Sequence, residues 1–237
     1  MGFLGHLLTL GRVSNLPTVW TNVVAAYVLN ASVGKTLSVM PALSTFNVWD
    51  NSTLGLLIVG ASFLYIGGCT LNDAVDHKFD AQHNPHRPIP SGALTATAVW
   101  VIGIVELALG AWVMIEGARC SSLWVSLLLV ALVAYDLAHK KWNGSFILMG
   151  CCRLFLWVAA ATAGEMTFIA PQTWAWGIAL MAYIMGITLH ARGEATDRVH
   201  AHRVSILLLF ATPLLALMAL VYWNNLDPIR VFLVNLS

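Results

Sequence analysis

Apolar residues run through this chain in long uninterrupted blocks, with polar positions gathered into short gaps between them. Seven blocks stand out, at about 8–30, 54–72, 93–115, 121–138, 145–163, 172–190 and 204–223. At 1.5 Å of rise per residue, a helix of roughly 20 residues crosses a hydrocarbon core of about 30 Å. The pattern therefore predicts an all-α protein, a polytopic membrane bundle of about seven transmembrane helices forming a single domain over 1–237. The first block runs past the length of a cleavable signal and has no basic cluster before it, so it is read as a span. His6 stands where a myristoylation signal needs Ser or Thr.

Composition agrees with the pattern. Of 237 residues 10% are charged, against roughly 25% in soluble domains. So little polarity is a poor match to a soluble enzyme, a disordered chain or a basic nucleic-acid binder. Four cysteines (69, 120, 151, 152) lie in apolar surroundings without metal-ligand spacing and read as packing residues.

The positions of the few charges carry more than their sum of +1. The gaps 73–92, 139–144 and 191–203 hold seven Lys and Arg, while the opposite gaps and the tail hold three, Lys35, Arg119 and Arg230. The positive-inside rule then puts the first set and the N-terminus on the cytoplasmic side. Asn30-Ala-Ser and Asn51-Ser-Thr fall on the other side, where they would be glycosylation acceptors in a eukaryotic secretory host.

The second block ends in Asn72-Asp73-Ala-Val-Asp76-His-Lys-Phe-Asp80. On a continuing helix Asp73, Asp76 and Asp80 share one face at i, i+3 and i+7, with Asn72 beside them. Like charges so placed repel, so the stripe makes most sense with cations between the carboxylates, and oxygen donors that leave room for phosphates are the Mg²⁺ pattern. A solvated acidic helix end is the plain alternative. Next comes Asn84-Pro-His-Arg87-Pro88-Ile89-Pro90-Ser91-Gly92, a stiff turn in which Ser91 is placed to cap the following helix. Arg87 there can offer a planar donor fork to a phosphate, or serve as a headgroup-side arginine. Arg153 lies about 12 Å into the fifth block and needs a partner, for which a diphosphate or a carboxylate would serve. Glu106, in the third block, could pair with Arg153, orient an acceptor or stay protonated as a structural donor. In the first block Arg12, Asn15 and Asn22 form a polar stripe at i, i+3 and i+10, facing either a cavity or a neighbouring helix.

The run from Asn72 to Gly92 closely resembles the first signature of the UbiA superfamily of intramembrane polyprenyltransferases, especially its chlorophyll-synthase and archaeal ether-lipid branches. The resemblance implies a helical bundle open laterally to lipid, with the Mg²⁺-bound diphosphate of a polyprenyl donor at the cytoplasmic end of a central cavity. It implies catalysis and metal binding by Asp73, Asp76 and Asp80, with Asn72 as a further metal ligand. Arg12-x-x-Asn15 is similar to the family's first-helix pattern. Tyr135-Asp136-Leu-Ala-His139-Lys140 resembles its Tyr-x-x-x-Lys element, but His139 takes the Lys position, so Lys140, about 100° further round a helix, is the diphosphate ligand expected. Where the family has a second Asp-x-x-x-Asp, this chain has Glu194-x-x-Asp197 flanked by Arg192 and Arg198. Metal binding by the acids and direct diphosphate binding by Arg192 both stay open.

The resemblance covers about residues 8–223, against nine spans in the family. A homo-oligomer whose partner subunit closes the cavity, a minimal branch, and a truncated or inactive homologue all fit that shortfall. The expected activity is Mg²⁺-dependent transfer of a polyprenyl group from an allylic diphosphate to a lipophilic acceptor in the bilayer, without nucleic acid. A seven-helix receptor or transporter is the competing class, although its polar residues would spread through the midplane. A histidine-ligated oxidase, suggested by His83-x-x-His86 and His200-x-His202, lacks a third histidine pair.

Overall fold

The computed structural model describes residues 3–36, 51–196 and, within 203–217, all but 211 and 215. It is all-helical there. A short α1 (Phe3–Leu10) leads through a 3₁₀ turn (Val13–Asn15) into α2 (Leu16–Thr36). Then follow α3 (Asn51–His83), α4 (Ala96–Trp112, continued by a π turn, Val113–Gly117) and α5 (Ser122–Ala138). The series ends with α6 (Ser145–Ala161), α7 (Pro171–Thr196) and an apolar helix α8 (Arg203–Leu214).

Three stretches, Ser52–His83, Ala96–Gly117 and Pro171–Ala191, are long and apolar enough to cross a membrane, and α5, α6 and α8 are shorter apolar helices. The outer face of α4 leaves Trp100, Val101, Ile104 and Trp112 exposed, as lipid contact allows. These are the features of an integral, multi-pass membrane protein. The seven expected spans differ from the helices at one important place. The first is broken: Arg12 takes the left-handed conformation (φ 44°) and Pro17 opens α2, so the chain turns between α1 and α2. Arg12 and Asn15 precede α2 while Asn22 lies within it, and the three do not form one stripe on one helix.

The bundle is organised around α3, which packs on α2, α4 and α5, while α6 packs on α2, α5 and α7. Between lipid-soluble helices there is little hydrophobic drive to associate, so close van der Waals approach matters more. On α3 and α4 it is achieved with glycine: a Cβ at Gly110 would lie 2.8 Å from the Leu64 backbone nitrogen and 2.9 Å from the Gly60 oxygen. Between α2 and α6 the run Val158–Ala161 is fully buried, with Val19, Val23 and Ala26 in the same core.

At the end of the bundle away from the aspartates, Asn30 knots three elements together. Its Nδ2 donates to the Ala161 and Phe168 carbonyls, both at 2.9 Å, and its Oδ1 accepts from Ala170 N at 2.9 Å and Thr173 Oγ1 at 3.1 Å. At 1% exposure with its amide so engaged, Asn30 is no glycan acceptor in the folded protein, which corrects the sequence expectation. Asn51 begins α3, and its side chain lies outside the described residues.

Candidate functional site

α3 does not stop at the membrane exit. It runs 33 residues to His83, so Asp73, Asp76 and Asp80 do fall on one helical face. All three are buried, at 6%, 7% and 2% exposure, so they are not a solvated helix end. Buried carboxylates need compensating partners, and each has one. Arg87 Nη1 donates to Asp73 Oδ1 at 2.9 Å and to Asp80 Oδ2 at 2.8 Å. Arg12 Nη2 reaches Asp73 Oδ1 at 3.3 Å. Lys140 Nζ lies 2.8 Å from Asp76 Oδ1, and His139 Nε2 lies 3.2 Å from Asp76 Oδ2.

The turn after α3 sets the reach of Arg87. Asn84 donates its backbone N–H to the Asp80 carbonyl at 2.8 Å and its side-chain amide to Asp80 Oδ1 at 3.0 Å. Arg87 N then bonds to the Asn84 carbonyl at 3.1 Å, which folds the arginine back over the acids. Gly92, at φ 77°, reverses the chain in a conformation that favours glycine. Ser91 is not the helix cap: its Oγ donates to the Pro88 carbonyl at 3.2 Å, while Thr95 accepts from Ala98 N and starts α4 four residues later. The residues between them complete the reversal, and that is why the cap shifts.

The one-residue offset at His139 and Lys140 leaves both side chains on Asp76. They follow α5, whose last turn places the His139 ring against Tyr135 at 5.3 Å between centroids, while Lys140 lies 3.7 Å from the centre of the Phe79 ring. A 100° rotation separates them on the helix, but a long flexible lysine and a shorter imidazole reach the two oxygens of one carboxylate.

Beside the acids, between α3, α5 and α6, is a cavity of about 150 Å³. Its polar wall is Arg12, Tyr65, Asn72, Tyr135, Asp136 and Arg153, and leucines (64, 128, 132 and 156) are the commonest of the other lining residues. Arg12, Tyr135 and Arg153, all candidates from the sequence, line this cavity together. Asn15 stands behind the wall, its Nδ2 donating to Tyr65 Oη at 3.2 Å. Asn22 and Glu106 do not line the cavity. Glu106 stands apart from the cavity lining, and its Oε2 is buried with no hydrogen-bond partner among the described residues. Asn72 has both ends of its amide committed, Nδ2 to Asp136 Oδ1 at 3.1 Å and Oδ1 toward Arg12 at 3.5 Å. Arg192 and Glu194 fall near the end of α7, but their side chains, like all of Asp197, lie outside the described residues.

Two of these residues had no role expected from the sequence. Tyr65 lies seven residues before Asn72 and so on the same face of α3, a spacing that could have pointed to it. Asp136 sits four residues before Lys140 in an apolar run, a position where a charge is rarely idle.

Among the described residues no three His, Cys, Asp or Glu side chains converge as a metal-ligand cluster. The donor chemistry nonetheless fits a hard divalent cation: the acids are all carboxylates, and the guanidinium bridging Asp73 and Asp80 shows that positive charge is accommodated between them. The cysteines offer no competing chemistry. All four are free, and burial pushes the Cys120 thiol up to about 12.

The chain is 29% identical over 137 residues to the bacteriochlorophyll synthase 34 kDa chain of Chloroflexus aurantiacus, a match covering 51% of this chain and 43% of that protein. It therefore spans less than half the length of that relative. No solved structure matches it. The profile described as the UbiA prenyltransferase family matches residues 36–233, most of the chain and all of the acidic motif, the proline turn and the Tyr135–Lys140 element; the chain belongs to that family.

Proposed function

We propose that the chain transfers a polyprenyl group from an allylic diphosphate to a lipophilic acceptor in the membrane, at the cytoplasmic end of one membrane domain. The observation that carries this reading is the placement of three buried carboxylates, each held by a cationic side chain, beside a cavity that is mostly apolar. An allylic diphosphate has the same division, a multiply charged head on a hydrocarbon tail.

Asp73, Asp76 and Asp80, with Glu194 and Asp197, would hold Mg²⁺, which supplies positive charge to a departing diphosphate. Arg87, Lys140, Arg153 and Arg192 bind the remaining phosphate oxygens, with Arg12 beside them. As the C1–O bond lengthens, negative charge gathers on the diphosphate, and these fixed cations stabilise it more than the ground state. The leucine-lined part of the cavity excludes water that would otherwise capture the allylic cation before the acceptor does. Similarity to a bacteriochlorophyll synthase keeps a tetrapyrrole among the acceptor classes, beside quinol precursors, aromatic acids and glycerol lipids.

The test uses membranes containing the full chain, Mg²⁺ and a series of allylic diphosphates, with diphosphate release and product mass as readouts. Asp73→Asn and Asp76→Asn should each abolish Mg²⁺-dependent release. Full activity in both variants would sink the proposal.

A further inference from the structure

Lys140 is held by more than its carboxylate. Phe79, one residue before Asp80 on α3, is 45% exposed, and its ring centre lies 3.7 Å from Lys140 Nζ. His83, one helical turn further on, stacks on the same ring at 4.0 Å between centroids and 9° from parallel. Its Nδ1 also bonds to the Phe79 carbonyl at 3.0 Å. Two groups that close to one ring centre cannot share a face, so the histidine takes one face and the ammonium the other. An exposed aromatic at a membrane exit is otherwise the mark of a headgroup anchor. A ring with both faces occupied by side chains of its own protein has a different use.

Lysine carries its charge on a flexible four-carbon stem, and the entropy of fixing that stem offsets most of the attraction in an exposed ion pair. The Lys140 side chain is 36% exposed, and among the described residues its one ion-pair partner is Asp76 Oδ1 at 2.8 Å. Asp76 is also among the proposed Mg²⁺ ligands, and a carboxylate shared with a divalent cation attracts an ammonium less. The face of a phenyl ring attracts the ammonium through its quadrupole and has no oxygen for a hard metal to claim. The two contacts therefore differ in what metal does to them: the carboxylate is shared, and the ring is not.

Resting on the transferase reading above, we propose that Phe79 is a positioning residue for the donor diphosphate: its ring, backed by His83, keeps the Lys140 ammonium beside the acidic face of α3 when Asp76 is shared with metal. It acts through Lys140 rather than on the diphosphate itself. Asp76, Phe79 and His83 stand at i, i+3 and i+7, so one side of α3 supplies the carboxylate, the ring and the ring's support.

The experiment treats the full chain in nanodiscs, with Mg²⁺, with sulfosuccinimidyl acetate and follows acetylation of Lys140 by peptide mass, with the exposed Lys141 as internal reference. Acylation needs the free amine, which a contact to the ammonium disfavours. Phe79→Leu keeps an apolar side chain and removes the ring face, so Lys140 should be acetylated about two- to fivefold faster than in the wild type, with Lys141 unchanged. That ratio is the about 0.5–1 kcal/mol of an exposed cation–π contact, converted at 1.4 kcal/mol per tenfold. The KM for geranylgeranyl diphosphate should rise by the same factor. Phe79→Trp, which keeps a ring, should restore both values, and Phe79→Leu should leave the KM of Lys140→Ala unaltered. A headgroup anchor would instead raise KM equally in the Lys140→Ala background. That result, equal Lys140 acetylation in wild type and Phe79→Leu, or no rescue by Phe79→Trp would each overturn the inference; labelling and rescue decide it even where Lys140→Ala is inactive. Lack of Mg²⁺-dependent diphosphate release by the wild type would overturn the transferase reading, and the donor role of Phe79 with it, whatever the labelling ratio.

Discussion

Arg87 is where the fold of the acidic motif and its use meet. One of its nitrogens lies within 2.9 Å of Asp73 and 2.8 Å of Asp80, and it is the only cation within ion-pair distance of Asp80 among the described residues. Removing one partner of a buried ion pair costs about 3–5 kcal/mol, because the remaining charge is left uncompensated. Two features reduce that figure here. The Arg87 side chain is 35% exposed, and each acid keeps another contact, Asp73 with Arg12 and Asp80 with Asn84. Arg87→Ala should therefore destabilise the protein by about 2–3 kcal/mol, read by denaturant titration in mixed micelles without divalent cation. Adding Asp80→Asn removes one of the stranded charges, so the double variant should be less damaged than the sum of the singles, with a coupling of about 1–2 kcal/mol. Millimolar Mg²⁺ should restore stability to Arg87→Ala more than to the wild type, since it replaces positive charge that the wild type already has. A loss below about 0.5 kcal/mol, no coupling with Asp80→Asn, and equal Mg²⁺ responses would refute the view that Arg87 compensates these carboxylates.

Three further outcomes follow from other parts of the structure. Gly110→Leu puts a side chain where Leu64 N and Gly60 O already lie within 2.9 Å of a Cβ, so α3 and α4 must separate and folded protein recovered from membranes should fall sharply; Gly55→Ala, with nothing within 4 Å, is the matched control and should be neutral. Asn30→Leu leaves the carbonyls and donors it now joins unpaired and should cost about 2–4 kcal/mol in the same titration, while protein expressed in a eukaryotic host should carry no glycan at Asn30. Lys140→Ala should raise the donor KM by about tenfold or more, because charge-assisted contacts to phosphate are worth about 1.5–3 kcal/mol; a value unchanged in Lys140→Ala but raised in His139→Ala would give the diphosphate contact to the histidine.

Much of the site was legible because helical periodicity converts spacing into direction. Asp73, Asp76 and Asp80 at i, i+3 and i+7 are on one face wherever that helix goes, and the Asn84–Gly92 turn announces itself by its prolines and glycine. Charges in an apolar chain also advertise themselves, as Arg12, Arg153 and Lys140 do. Direction is lost where the helix is interrupted. No periodic rule foretold that Arg12 would adopt φ 44° and break the first block, detaching Asn22 from Arg12 and Asn15. The same limit applies to Ser91, whose hydroxyl stays within the turn while Thr95 takes the cap.

The sequence by itself determined the class of the protein, its helices, the sharing of one face by three aspartates and its family, because each depends on local composition and short-range spacing. Only the tertiary structure decided who partners whom. That Arg87 bridges two acids, that His139 and Lys140 divide Asp76, that Asn30 is a buried tie and that Asp136 Oδ2 has no partner among the described residues are all results of how helices distant in sequence pack. A buried polar group takes its meaning from the atoms around it, and in a bundle most of those atoms come from another helix.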